Sequence, residues 1–360
     1  MIIVDMHRDI AYDAIDCDRD YRMSIAESRR LEAGISHPRR RGKSATGLPD
    51  AIAANIALVG ATLFVEPKEF KHWGGLNPIA HAVSSYSTPQ EAHDVAMKQL
   101  EYYIQLAASN SNVRIVDSRT DLDAVLATWA DGADPAKRQQ GMIILMEGAD
   151  PVIEPSQFGT WYERGVRILG TSWSRTRYAG GTQAPGPLTD LGRQLLKEMA
   201  KFNAILDVSH MAEEACMESL ETYAGPLIAS HVNPRAFCDT DRHLTDEAIK
   251  LLAKRDGVMG LVLLSLFWKT DWKPGEPIHV DRIADAVDYI CQLTGSNRHV
   301  GIGTDWNAGM GTDEYPDDFD TVADLWKITD VLRMRGYSEA DLDAITSGNF
   351  LRKLREGLPE

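Results

Sequence analysis

Short apolar runs rich in Ile, Val and Leu recur along this chain, and most of them end in a carboxylate or an imidazole. The runs are IIV (2–4), IALVGATLFV (56–65), MIILM (142–146), VRILG (166–170), AILDV (204–208), PLIAS (226–230), GVMGLVLLS (257–265) and HVGIG (299–303). Continuous apolarity, rather than strict alternation with polar residues, is the mark of strands buried on both faces, as in parallel sheets. Between the runs lie PQEAHDVAMKQLEYYIQLAAS, DLGRQLLKEMAKF, EEACMESLETY and TDEAIKLLAKR. Their apolar residues recur every three or four positions, which predicts amphipathic helices. Thr245 is expected to cap the last of these, ahead of an acidic first turn at Asp246 and Glu247.

Eight buried strands alternating with helices predict an α/β fold of the (β/α)8 TIM-barrel type. Residues 1–360 are expected to form a single barrel domain with long strand-exit loops. VRIVDS (113–118) exceeds the strand count and is expected to be an accessory element. An open doubly wound sheet is the alternative, but no GxGxxG turn follows the first strand.

Composition narrows the function classes. The net charge of −15 disfavours nucleic-acid binding. The basic stretch HPRRRGKS, with Arg39, Arg40, Arg41 and Lys43, is too short to reverse that; it reads as a solvated loop, with anion or substrate contact as the alternative. No apolar run is long enough to span a membrane, and the charges at Asp5, His7, Arg8 and Asp9 do not suit a signal peptide. A cytoplasmic protein is the expectation. Cys17, Cys216, Cys238 and Cys291 form no CxxC pair, so they predict reduced thiols rather than a disulfide framework or a cysteine zinc site.

The candidate chemistry lies at the strand exits. IIVDMHRDI ends in His7 and Asp9, two residues apart and therefore on one face of an extended strand. MIILMEG supplies Glu147, AILDVSH His210, PLIASH His231 and HVGIGTD Asp305. In a barrel all strand C-termini open onto one face, so these six groups are expected to meet. Singly, each has an ordinary structural reading, such as a bonded core histidine or a helix cap. Five exits of the same kind argue for a shared site. His37, His72, His81, His93 and His279 follow no strand and are expected to be surface or structural residues.

Imidazole and carboxylate without thiolate is a donor set for zinc, manganese or iron, with zinc the default. His7, Asp9, Glu147, His210 and His231 exceed what one tetrahedral ion needs, so two ions bridged by a carboxylate are expected. Asp305 is left to handle protons.

These residues sit in longer motifs that resemble the membrane dipeptidase (renal dipeptidase) family of zinc peptidases, among the amidohydrolase-type barrels. The similarity runs from Val4 almost to the C-terminus, through VDMHRDI, TGLPDAIAANIALVGATLFV, MEGAD, LGRQLLKEMAKFNAILDVSHM, PLIASHVNPRAFCDTDRHLTDEAI, GIGTDWNAG and GNFLRKL. The resemblance implies that His7, Asp9 and Glu147 hold one zinc and that Glu147 bridges to a second held by His210 and His231. It implies Asp305 as the acid–base residue, Arg242 as the partner of a substrate carboxylate and Asn233 as a weaker contact. The implied reaction is hydrolysis of a dipeptide amide bond, with a C-terminal D- or L-residue, by a hydroxide shared between the metals. Family members often form dimers, so a homodimer is also in keeping with the resemblance.

Two departures stand out. Where the family commonly places a histidine that contacts the scissile carbonyl oxygen, VRILGTSWS aligns Trp173. An indole donates one hydrogen bond but takes no charge and no proton. That substitution motivates a second reading, the same metal chemistry on another amide, ester or lactone; a packing role for Trp173 is the bland one. The segment Ala11–Ser44 matches no family contact, and loops after barrel strands set specificity. A non-catalytic relative would be expected to have lost ligands, whereas all are present.

Overall fold

The computed structural model describes residues 1–68 and 83–360. His72 and His81 lie outside the described residues. Eight parallel strands close into a barrel: β1 (Ile3–Asp9), β2 (Ile56–Phe64), β3 (Gln140–Glu147), β4 (Val166–Gly170), β5 (Ile205–Asp207), β6 (Leu227–Ala229), β7 (Val258–Leu261) and β8 (Val300–Ile302). Each pairs with the next, and β8 closes on β1 through Asp5 opposite Ile302. Every residue of β2 and β3 is buried, as expected where both faces of a parallel strand are covered. The accessory strand, Val113–Ile115, pairs in parallel with the start of β3, outside the ring of eight. The run at 257–265 is strand only as far as Leu261; Ser265–Phe267 is a 3-10 turn.

The helices follow the predicted spacing. Pro89–Ser109, Asp190–Ala200 and Asp246–Lys254 each begin at a threonine whose hydroxyl accepts a first-turn N–H, Thr88, Thr189 and Thr245 respectively. Inside the barrel, Val4, Met6, Leu58, Ile143, Leu145, Ile168 and Ile205 form one cluster with Phe350 and Leu354 of the C-terminal helix Asn349–Gly357. A separate, larger cluster joins the outer strand faces to the helices. No helix among the described residues is long and apolar enough to cross a membrane.

One irregularity matters for function. The pairing of β1 with β2 shifts register between Asp5 and Arg8, beside Gly60, where a Cβ would fall 2.2 Å from the Met6 carbonyl oxygen. Only glycine lets the two backbones approach this closely. Across the shift, Asp5 and Arg8 form a buried ion pair at 2.9 Å although they are three residues apart. Val4 and Met6 pack in the barrel interior, and beyond the shift His7 and Asp9 come to its mouth.

The three arginines of the basic stretch are not solvated, although Lys43 is exposed. Arg39 is buried, its Nη1 donating to the Tyr12 hydroxyl at 2.9 Å, and Arg40 donates to the Cys17 carbonyl at 2.6 Å. The charge is folded inward because carboxylates await it: Asp16 and Glu66 lie 3.9 Å from Arg39, and Glu314 lies 3.8 Å from Arg41.

Candidate metal centre

Every side chain of the cluster is delivered by the C-terminal end of a barrel strand. His7 and Asp9 end β1, and Glu147 is the last residue of β3, opposite Phe64 and Gly170. His210 and His231 follow β5 and β6, and Asp305 follows β8. His210 and Asp305 hold left-handed backbone angles, φ +65° and +61°. For residues with a Cβ that conformation is uncommon and collects at functional sites. Asp305 is held in it from both sides: its N–H donates to the His7 carbonyl at 3.2 Å, and its own carbonyl accepts from the Tyr315 hydroxyl at 3.1 Å.

Glu147 sits at the middle. Its Oε1 lies 3.0 Å from His210 Nε2 and 3.3 Å from His231 Nε2, while Oε2 lies 3.5 Å from His7 Nε2. His7 Nε2 is 3.8 Å from both Asp9 Oδ2 and Asp305 Oδ1. Donor atoms of His7, Glu147 and His231 all lie within 4.8 Å of one another, and so do those of His7, Asp9 and Asp305. The sequence expectation that six groups converge is what the fold delivers. By contrast, His37, His93 and His279 contact Asp18, Pro151 and Asp318, away from the cluster.

The electrostatics are those of a place built for a cation. Burial pushes the Glu147 carboxyl up to about 8, against the opposing pull of Arg242. Burial raises Asp9 to about 7, with Glu147 adding to the rise, and lifts Asp305 well above the carboxylate range. Burial, then neighbouring positive charge, holds His210 and His231 well below the usual imidazole value, so both rings are neutral. His7 Nε2 is buried with no hydrogen-bond partner. An orphaned ring nitrogen among neutral imidazoles and costly carboxylates fits a metal, which would complete the nitrogen and neutralise the acids.

Arg242 is buried beside Glu147 and Asp305 and is not among the residues that line the cavity; its Nη2 donates to the His231 carbonyl at 2.7 Å, and its Nε and Nη1 have no hydrogen-bond partner. Asn233 does not line the cavity. Its amide donates to the carbonyls of Val262 and Phe267 and accepts from Val262 N–H, tying the exits of β6 and β7 together. Trp173 forms part of the wall, its ring centroid 4.9 Å from Phe64 and 5.9 Å from His210.

The cluster opens into a cavity of about 150 Å³ lined by Asp9, Glu147, His210 and Asp305 at one end, and by residues including Tyr12, Arg39, Arg41, Trp173 and Phe267 around it. Tyr12, Arg39 and Arg41 come from the Ala11–Ser44 segment, which therefore does shape the site. Sequence reasoning passed over Thr62, whose hydroxyl donates to Asp9, and also Asp207, Ser230 and Thr182, which bond around the histidines. Asp207 and Ser230 were visible as polar residues inside AILDVSH and PLIASH; no local signal marked Thr62 or Thr182.

A closed parallel barrel with imidazoles and carboxylates at its C-terminal mouth belongs among the metal-dependent hydrolases. The chain belongs to the membrane dipeptidase family (peptidase family M19), whose model matches residues 1–357. It is 28% identical over 285 residues to an uncharacterised protein in the pqqA 5′ region of Klebsiella pneumoniae, covering 75% of this chain and 98% of that one. It is 28% identical over 247 residues to mouse dipeptidase 3, covering 64% of this chain and 47% of that protein. A Rhodobacter sphaeroides metallopeptidase, solved with a phosphinate mimic of the dipeptide L-Ala-D-Ala, superposes with a TM-score of 0.78 at 20% identity, covering 99% of both chains. That likeness shows the fold.

Proposed function

We propose that this protein is a binuclear zinc hydrolase that cleaves the amide bond of a dipeptide with a C-terminal L- or D-residue. The observation that carries the reading is the posture of Glu147, one oxygen facing His210 and His231 and the other facing His7. In this reading His7, Asp9 and Glu147 hold one ion, and Glu147, His210 and His231 hold the other. Zinc there would supply a nucleophile at neutral pH and polarise the substrate carbonyl. The unpartnered Nε and Nη1 of Arg242 would pair with the substrate carboxylate, a task that suits a planar guanidinium. Asp305, with its raised affinity for a proton, would pass one to the leaving amine. A cavity of about 150 Å³, against the roughly 300–1,000 Å³ of pockets for drug-sized ligands, favours a small substrate.

Trp173 supports the second reading, the same chemistry on another amide, an ester or a lactone, because it stands beside His210 in the wall with no imidazole to offer the carbonyl oxygen. Hydrolysis of a panel of L,L and L,D dipeptides by zinc-loaded protein, with Asp305→Asn as control, separates the two. Cleavage abolished by the substitution supports the dipeptidase. Metal-replete protein that cleaves no dipeptide would overturn it and turn the search to non-peptide substrates.

A further inference from the structure

Each of the three imidazoles around Glu147 has its other ring nitrogen against a hydroxyl. His231 Nδ1 lies 2.8 Å from Ser230 Oγ, and His7 Nδ1 lies 3.3 Å from the same oxygen. His210 Nδ1 lies 3.0 Å from Thr182 Oγ1. A hydroxyl has one proton and two lone pairs, so the destination of that proton decides what the rings can do.

The Ser230 proton goes to Asp207. Ser230 Oγ donates to Asp207 Oδ2 at 2.5 Å. Asp207 is itself fixed, its Oδ1 accepting the backbone N–H of Ser209 at 3.0 Å and of Ser230 at 2.8 Å. With its proton committed, Ser230 Oγ can only accept, and the two rings are its nearer partners, Ser209 Oγ standing off at 3.4 Å. Each ring must then carry its hydrogen on Nδ1, and in a neutral imidazole that leaves the lone pair on Nε2, the atom facing the centre. Thr182 repeats the device for His210, its own proton turned to the His210 carbonyl at 3.4 Å; the Nε2 atoms of His210 and His231, 3.0 Å apart, then meet as two lone pairs, which a cation between them would satisfy.

An aspartate, a serine and a histidine in contact suggest a nucleophilic triad, but the order is wrong. Ser230 is fully buried at 0% exposure, its proton faces the carboxylate, and the far side of the ring faces Glu147 rather than a substrate. The hydroxyl works as an acceptor.

We propose that Ser230, oriented by Asp207, is a shared positioning residue that fixes the ligating tautomer of His7 and His231 together and so couples the two halves of the centre. The inference rests on the two-metal reading above. His7 and His231 approach opposite oxygens of Glu147, yet their rings stack with centroids 3.5 Å apart, which is why one hydroxyl reaches both. An outer partner ordinarily steadies one ligand; here one serine steadies a ligand of each ion.

The test uses the full chain with Ser230→Ala, Asp207→Asn and Thr182→Val. Stepwise zinc affinity is read by competition with a chromophoric chelator, and ring tautomers by ¹⁵N spectra of metal-free, ¹⁵N-histidine-labelled protein. Ser230→Ala is expected to weaken both zinc steps by roughly 10–100-fold, whereas Thr182→Val weakens only the step that uses His210. Asp207→Asn is expected to match Ser230→Ala, because its amide N–H would face Ser230 and turn the hydroxyl proton onto the rings. In the wild type, His7 and His231 are expected as Nδ1–H tautomers. Ser230→Ala leaving either zinc step unchanged, or wild-type rings protonated at Nε2, would overturn the proposal. Should Ser230→Ala not fold, the wild-type spectrum and Asp207→Asn decide. Failure of the wild type to bind two ions would refute the two-metal reading separately, and the tautomer spectrum, which needs no metal, would still judge this one.

Discussion

With a chelator present, this protein is expected to lose stability as the pH rises from about 6.5 to about 8.5, opposite to the usual behaviour of a protein rich in paired carboxylates. The cause is burial of acids without a cation. Folding raises Asp9 from 3.8 to about 7 and Glu147 from 4.5 to about 8. In this pH window the unfolded carboxylates are already ionised while the folded ones still hold protons, so the folded state binds more protons and deprotonation favours unfolding. The neutral histidines oppose part of the slope. His210 and His231, and likewise the buried His243, are depressed in the fold, so each adds about 0.4 kcal/mol of stability between about pH 6.5 and about 8.5 as its unfolded imidazole, at about 6.5, gives up its proton. At about 1.4 kcal/mol per pH unit for each proton held, the two carboxyls together account for roughly 3 kcal/mol across the window. Less the histidines' share, roughly 1.5 kcal/mol remains, which for a chain of this size is a fall of about 2 °C in melting temperature. Denaturant unfolding in chelator at pH 6.5, 7.5 and 8.5, repeated with zinc, measures it. The zinc-loaded protein should show little of the slope, since a bound cation holds the carboxylates ionised. A metal-free stability that is flat or rising over the window would refute the reasoning.

Other outcomes are equally specific. Asp305→Asn should keep its metal by elemental analysis while turnover falls roughly 10²–10⁴-fold, as for loss of a general acid–base; loss of metal as well would make Asp305 a ligand, which its 3.8 Å approach to His7 makes a real test. Arg242→Ala should raise KM for free dipeptides by roughly 10–100-fold, the worth of one charge-assisted hydrogen-bond pair, and leave C-terminally amidated analogues much less affected; equal losses on both would remove the carboxylate clamp. Trp173→His should raise kcat on dipeptides, by up to roughly 10² if it restores a missing oxyanion donor; no gain would mean that the wall of Phe64, Trp173 and His210 is organised around the indole.

Much of the molecule is legible in its sequence. The barrel followed from apolar runs whose burial on both faces leaves no alternation, and Thr245 capped its helix as its neighbours implied. His7, Asp9, Glu147, His210, His231 and Asp305 were each visible because each ends a strand, and a barrel converts that positional class into one place. The arginine stretch was misread because local sequence shows charge but not the distant carboxylates of Glu66 and Glu314 that draw it inward. Asn233 kept its neighbourhood but not its expected contact, since its partners Val262 and Phe267 are supplied by the next strand exit.

The sequence alone therefore determined the strand and helix pattern, the donor types and the strand ends that carry them, because these depend on periodicity and on residue identity. Tertiary structure alone decided the register shift beside Gly60 that accompanies the passage from Met6 inside the barrel to His7 and Asp9 at its mouth, and the two faces that Glu147 shows to its histidines. It alone brought Ser230 against rings from two different strands. These features depend on the approach of segments up to hundreds of residues apart, and on where a single proton goes, neither of which is written in local order.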